Sequence, residues 1–138
     1  MMKQTMRKMM EQTISKGFPR IGLLQIAIVL LAVITAVIHL DLGVEFLMRG
    51  LGGPLPLLFL LNFVGYIVLV TALYLPSLQR IQSGTRWILM VYTALTVILW
   101  YLIARNYADL EAYVDKLVEV VLIILLLGEA FWPRLRTA

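Results

Sequence analysis

Cysteine is absent from this 138-residue chain. That excludes disulfides, thiol nucleophiles and thiolate metal sites, and it leaves the redox compartment unspecified. Charge is scarce as well: 14% of the residues are Asp, Glu, Lys or Arg, where roughly 25% is usual for a soluble domain. So few charges cannot cover a water-facing surface. Histidine occurs once, as His39, so one chain cannot hold haem between two histidines. The Glu-x-x-His pairs of di-iron bundles are missing. There is no glycine-rich nucleotide loop, no repeat of fixed period and no low-complexity tract. No nucleophile, base and acid stand in a catalytic pattern, so the chain is not expected to be an enzyme, and no cofactor is called for.

What is abundant is apolar surface. Hydrophobic residues make up 62% of the chain, against roughly 45–50% in soluble domains. That surface needs a solvent other than water, and the bilayer supplies one. A net charge of +4 invites a nucleic-acid reading. The basic residues are not gathered on a soluble face, so no nucleic-acid partner is expected.

The apolar residues fall in long continuous runs without alternation, which excludes strands. Residues 21–40, 55–76 and 87–104 are almost free of charge. Each comes close to the roughly 20 residues needed to cross about 30 Å of hydrocarbon at about 1.5 Å per residue. The first run is too long for a cleavable signal and lacks a small-residue cleavage site.

A fourth stretch, "YVDKLVEVVLIILLLGEAF" at 113–131, carries Asp115, Lys116, Glu119 and Glu129. Its charge-free part, 120–128, is too short to cross alone. Extended over 112–131 it becomes a plausible span, with its charges toward the two ends, where insertion costs less than at the centre. The basic residues support this. Lys3, Arg7, Lys8, Lys16, Arg20, Arg80, Arg86, Arg134 and Arg136 fall on one side of such a layout. Arg49, Arg105 and Lys116 fall on the other. The positive-inside rule then puts both termini in the cytoplasm, which requires an even number of spans. The expected fold is all-α: an integral four-helix bundle at 21–132 in the plasma (inner) membrane, with a basic tail at 133–138. Tyr74, Trp87, Phe131 and Trp132 mark one interface, and Phe46, Trp100, Tyr101, Tyr107 and Tyr113 the other.

Residues 1–20 read as a basic amphipathic helix lying on the anionic inner leaflet. Met2, Met6, Met9, Met10 and Thr13 form its soft face. Gly17 and Pro19 end it. The segment "DLGVEFLMRGLGGPLP" reads as an outer loop with a helical Glu45–Arg49 pair. Phe46, Leu47 and Leu51 rest at the interface in that reading. Pro76 ends the second span, and Ser83–Gly84 marks the turn into the third.

Polar residues inside a membrane should turn toward other helices. At about 100° per residue, Gln25, Thr35 and His39 share one arc with Ala32, with Ala36 beside it. Such a small-and-polar stripe suits close helix packing. Asn62, Gly65 and Tyr66 share a face of the second span, and Tyr92, Thr96 and Trp100 a face of the third. Asp115, Glu119 and Glu129 share a face of the fourth. Depth places His39, Asn62, Tyr101, Asp115 and Glu119 together in the outer half as a candidate polar site. Lys116 lies three residues before Glu119 and can form an ion pair with it. Glu129 lies at the inner edge, within reach of Arg20, Arg86 or Arg134.

A histidine beside carboxylates exchanges protons near neutral pH. The ordinary reading of His39 is a structural hydrogen bond at a span end. Glu119, about 10 Å inside its span by helix rise, is harder to explain that way. His39 with the Asp115/Glu119 pair could supply three metal ligands, but no metal site is expected.

The stretches "IHLDLGVEFL", "PLLFLLNFVGYIVLVTALYLP" and "YVDKLVEVVLIILLL" together resemble small four-span membrane proteins of bacteria and archaea described only as uncharacterised. The resemblance covers parts of residues 38–127. It implies a prokaryotic membrane protein and carries no activity or functional residue with it.

Three functions remain in view. The first is a non-enzymatic membrane protein acting by association, as a homo-oligomer or as a small subunit of a membrane complex. The second is a small proton-coupled transporter using Glu119 and His39. The third is a haem- or quinone-binding membrane subunit.

Overall fold

The computed structural model describes residues 1–7, 22–50 and 52–135. Among these the chain is all-helical, with no strand. Four long helices carry the fold: α1 (Leu23–Met48), α2 (Leu55–Tyr74), α3 (Gln82–Leu99) and α4 (Leu110–Leu135). A 3-10 helix, Pro76–Ile81, joins α2 to α3. The end of α3 passes into a π-helical turn, Trp100–Ala104, and then a 3-10 turn, Arg105–Tyr107. Among the described residues, three helices are long and apolar enough to cross a membrane: Leu23–Met48, Leu55–Tyr74 and Pro76–Ala104.

The packing order follows the chain. The helix α1 lies on α2, α2 on α3, α3 on α4, and α4 returns to α1. Gly22, Tyr74, Arg86 and Glu129 lie at one end, called the near end. Met48, Leu55, Ala104 and Leu110 lie at the far end.

The buried residues of α1 are Ile28, Ala32, Thr35, Ala36, His39, Leu42, Gly43 and Phe46. They recur every three or four positions, so one stripe faces the other helices. Its small members allow α2 close. A Cβ on Gly43 would meet Phe59 and Leu60 of α2 at 3.2 Å. The opposite sides of the helices carry exposed Leu30, Val37, Leu61, Ile98 and Ile124. Large aliphatic residues outside and polar residues within are the reverse of a soluble bundle, and they suit a lipid solvent.

Two apolar layers bracket the interior. Toward the near end, Ile28, Ala32, Leu73, Leu89, Leu122 and Leu126 pack together. Toward the far end, Leu42, Phe46, Phe59 and Ala104 do so.

Several boundaries differ from the sequence reading. The helix α1 runs eight residues past Leu40, because Leu42, Gly43 and Phe46 bury themselves against α2 and keep the helical face useful. It ends at Met48 with Arg49 as its cap, and Gly50 follows at φ 66°, the left-handed position that glycine takes without strain. Glu45 and Arg49 form their ion pair on this extension. Ser83 and Gly84 sit in the first turn of α3 rather than in a loop. The chain reverses earlier, at Leu75, whose extended backbone (ψ 123°) precedes Pro76.

Residues 2–7 are helical and exposed. The rest of the expected amphipathic segment, including Lys8, Met9, Met10, Thr13, Lys16, Gly17, Pro19 and Arg20, lies outside the described residues. So do Leu51, Arg136 and the side chains of Tyr107 and Arg134.

Candidate functional site

Between the two apolar layers the helices bring ionisable side chains together. Asp115, Lys116 and Glu119 lie within little more than one turn of α4 and face inward. His39 comes from the same depth of α1. Exposure is 1% for His39, 0% for Asp115, 8% for Lys116 and 0% for Glu119. Charge so deeply withdrawn costs several kcal/mol per ion unless it is paired and hydrogen-bonded.

Pairing is dense. Lys116 Nζ lies 2.5 Å from Glu119 Oε2 and 2.8 Å from Asp115 Oδ2. The Asp115 oxygen gains no directional hydrogen bond there and remains without one. Attraction to the ammonium alone serves it. The Thr35 hydroxyl of α1 donates to Asp115 Oδ1. This ties α1 to α4 at the level of the cluster.

Glu119 Oε1 is surrounded by hydroxyls. Tyr66 of α2 donates to it at 2.8 Å, reaching across the interior. Thr96 Oγ1 of α3 lies 2.8 Å from the same oxygen and 2.7 Å from the Thr93 carbonyl. Its single hydrogen serves only one of them at a time. When Glu119 is ionised, Thr96 donates to it. When Oε1 carries a proton, Glu119 donates to Thr96 and Thr96 turns to the Thr93 carbonyl. Rotation of one hydroxyl therefore satisfies both protonation states.

His39 completes the set. Its Nδ1 lies 2.8 Å from the Thr35 carbonyl, so Nδ1 carries hydrogen and donates. Nε2 lies 3.7 Å from Glu119 Oε1 and has no hydrogen bond. Asp115 Oδ1 is also 3.7 Å from Nδ1. Counted together, Asp115, Glu119 and Lys116 sum to one negative charge. A single proton on His39 Nε2 or on Glu119 makes the cluster neutral. Burial favours that neutral state.

The positions singled out in the sequence separate here. His39, Asp115, Lys116 and Glu119 form the core of the cluster. Asn62 lies beside it, accepting a hydrogen bond from Tyr92 at 2.9 Å. Tyr101 stays out. It is exposed, with the Arg105 guanidinium 4.7 Å from its ring centroid. Trp100 takes the inward direction, and a residue one step along a helix points about 100° away. Tyr66, Thr96 and Thr35 entered the sequence reading only as members of polar faces. Spacing gives the face of a helix, not the carboxylate that it meets.

Glu129 stands apart at the near end. Arg86 Nε lies 2.9 Å from its Oε2, and the Tyr74 hydroxyl is 3.3 Å from both oxygens. About 15 Å of helix rise separates it from Glu119. Leu122 and Leu126 fill that interval.

His39, Asp115 and Glu119 each bring a ligand atom within 4.8 Å of the others, a grouping that could hold a cation. The Lys116 ammonium already sits on both carboxylates, so a metal ion would have to displace it.

A cavity of about 60 Å³ adjoins the cluster, with His39 and Lys116 in its wall. Just beyond the cluster, at the far end, Glu111 lies near other carboxyls. Burial, and then the charges of Asp41, Asp109, Glu45 and Asp115, push its carboxyl above the usual range.

No family model, no curated protein and no solved structure matches the chain.

Proposed function

We propose that the chain is a four-span bundle of the plasma membrane, with both termini cytoplasmic, that binds and releases a proton at His39 and Glu119 as a small proton-coupled carrier. The observation that carries this reading is the fully buried His39–Asp115–Lys116–Glu119 cluster, which lacks neutrality by one proton. Ionisable groups at membrane depth are expensive and are functional by default.

The fourth span draws support from the direction of its charges. On α4 the charged residues Asp115, Lys116, Glu119 and Glu129 turn inward, while Leu117, Val121 and Ile124 turn outward. Charges that meet partners inside the bundle do not oppose insertion as charges facing lipid would.

One of the motives for the association reading is used up inside the chain. The small-residue stripe Ala32–Thr35–Ala36 is consumed within the chain, and is not left on an outer face for a partner. A carrier of four spans would still work as a pair of copies.

Access to the site is one-sided. The cavity reaches His39 from the side, between α2 and the π turn, and Leu42, Phe46, Phe59 and Ala104 close the far end. Ile28, Leu73, Leu89, Leu122 and Leu126 seal the near side. A continuous proton channel is therefore disfavoured, and a carrier that alternates between two shapes fits better. The test is proton uptake by liposomes containing the protein, read with an internal pH dye under an imposed membrane potential. Glu119→Gln should lower uptake at least tenfold. Unchanged uptake removes Glu119 from the mechanism.

A further inference from the structure

The cavity beside the cluster has its own chemistry. Its far wall is the π turn, Trp100–Ala104, closed by the Arg105 N–H to the Trp100 carbonyl. A π turn widens a helix and often marks a functional position. Here it borders a gap against α2. Phe59 and Asn62 of α2 line one side, and Trp100 and Ile103 the other. His39 and Lys116 form the floor.

The uncommitted polar groups are mostly donors. The Asn62 oxygen already accepts from Tyr92, which leaves its amide hydrogens free. Lys116 has hydrogens to give beyond the one on Glu119. Trp100 Nε1, in the wall, is a buried donor without a hydrogen bond, and His39 Nε2, 3.7 Å from Glu119 Oε1, donates when the cluster's proton sits there. The acceptors, Glu119 and Asp115, lie behind Lys116. An anion entering the cavity would meet those carboxylates, and a cation would meet Lys116. A neutral acceptor meets neither penalty.

The mouth faces outward between exposed Leu58 and Leu99, so entry is from the apolar side. The volume, about 60 Å³, exceeds that of one water, yet it is well below the roughly 150 Å³ that seats a benzene ring. It holds a carbonyl and its flanking carbons, not a ring system.

We propose that this cavity takes the neutral carbonyl head of a lipid-soluble molecule, with its oxygen toward Asn62, Lys116 and His39 and its apolar body in the mouth between α2 and the π turn. The inference rests on insertion of the chain in a bilayer but not on proton transport. The same chemistry is offered by an ester of a bilayer lipid and by a free quinone, whose ring would stay in the mouth.

The single histidine makes the test specific. The full chain, labelled with ¹⁵N at histidine, is placed in nanodiscs of ether-linked phospholipid, which carry no ester carbonyl. One arm replaces that lipid with its ester-linked counterpart, and another adds decylubiquinone. In at least one arm the His39 Nε2 resonance should shift, saturating with ligand. Leu99→Trp, which plugs the mouth, should abolish the shift. Leu58→Trp repeats the plug from the other side in case the first variant fails to fold. The responding arm identifies the source. An unmoved resonance in both arms overturns the proposal, as does a shift that survives both plugs. A plug-sensitive shift in wild-type protein that shows no proton uptake would show the two readings to be separate.

Discussion

His39 of α1 holds its Nε2 3.7 Å from Glu119 Oε1 of α4, while its Nδ1 is committed to the Thr35 carbonyl at 2.8 Å. The ring cannot turn without losing that bond. Its free nitrogen therefore faces Glu119, and the contact is favourable only when a proton lies on one partner or the other. Two bare lone pairs at that distance in a dry interior would repel. The function proposed above grows from this constraint.

Removing the Tyr66 hydroxyl tests how strongly Glu119 depends on its surroundings. Tyr66→Phe keeps the ring, which packs edge-on against Tyr92 at 5.2 Å between centroids. It deletes a donor to a buried carboxylate. Such a bond contributes about 1.5–3 kcal/mol. The variant should unfold at lower temperature in detergent, with its helix content intact at 25 °C by circular dichroism. An unchanged melting curve would mean that Glu119 does not need this donor.

The two ion pairs at opposite ends should differ in worth. Arg86 and Glu129 are 15% and 9% exposed, whereas Arg49 and Glu45 are 62% and 33% exposed. Breaking the first by Arg86→Leu strands a buried carboxylate, at a cost of about 3–5 kcal/mol. Breaking the second by Arg49→Ala should cost less than about 1 kcal/mol. Double-mutant cycles of chemical unfolding measure both, and equal coupling energies would contradict the burial argument.

Gly65 marks a close approach of α2 and α3. A Cβ there would collide with the Tyr92 ring and hydroxyl, displacing the bond to Asn62. Gly65→Ala should destabilise the fold by about 1–3 kcal/mol, the usual cost of overpacking. Thermal unfolding in detergent reads it, and a neutral effect would mean that the helices sit further apart.

Glu111, just before the fourth span, supplies a pH dependence. Its carboxyl is held above the usual range by burial and by Asp41, Asp109 and Glu45. Its ionised form is therefore disfavoured in the fold. The penalty is absent at pH values below the unfolded-chain range near 4.5, grows as pH rises, and is complete above the folded value. Glu111→Gln should raise the melting temperature at pH 7 and leave it unchanged near pH 4. A loss of stability at pH 7 would contradict the sign.

Much of this was legible in the residue order. The three charge-poor runs became helices because only helices satisfy their backbone in lipid. The Lys116–Glu119 contact follows from three-residue spacing, and Arg86 was among the three named cations for Glu129. Other features depend on the helices' relative height and rotation, which a single sequence does not encode locally. The Thr35–Asp115 bond is one, and the convergence of Tyr66 and Thr96 on one oxygen is another. The extension of α1 to Met48 was hidden because Asp41, Glu45 and Arg49 make that stretch look like a loop. Its buried side, Leu42–Gly43–Phe46, shows only once α2 is beside it. The π turn has no signal in composition at all.

The central claim is that one proton resides on the His39–Glu119 pair. The most direct measurement is magnetic resonance at neutral pH on membrane-embedded protein labelled with ¹⁵N at histidine and ¹³C at glutamate side chains. Wild type should show either an imidazolium at His39 or a protonated carboxyl at Glu119. Glu119→Gln, which leaves Asp115 balanced by Lys116, should show a neutral imidazole with hydrogen on Nδ1. A neutral His39 beside an ionised Glu119 in wild type would contradict the account, as would an imidazolium that persists in Glu119→Gln.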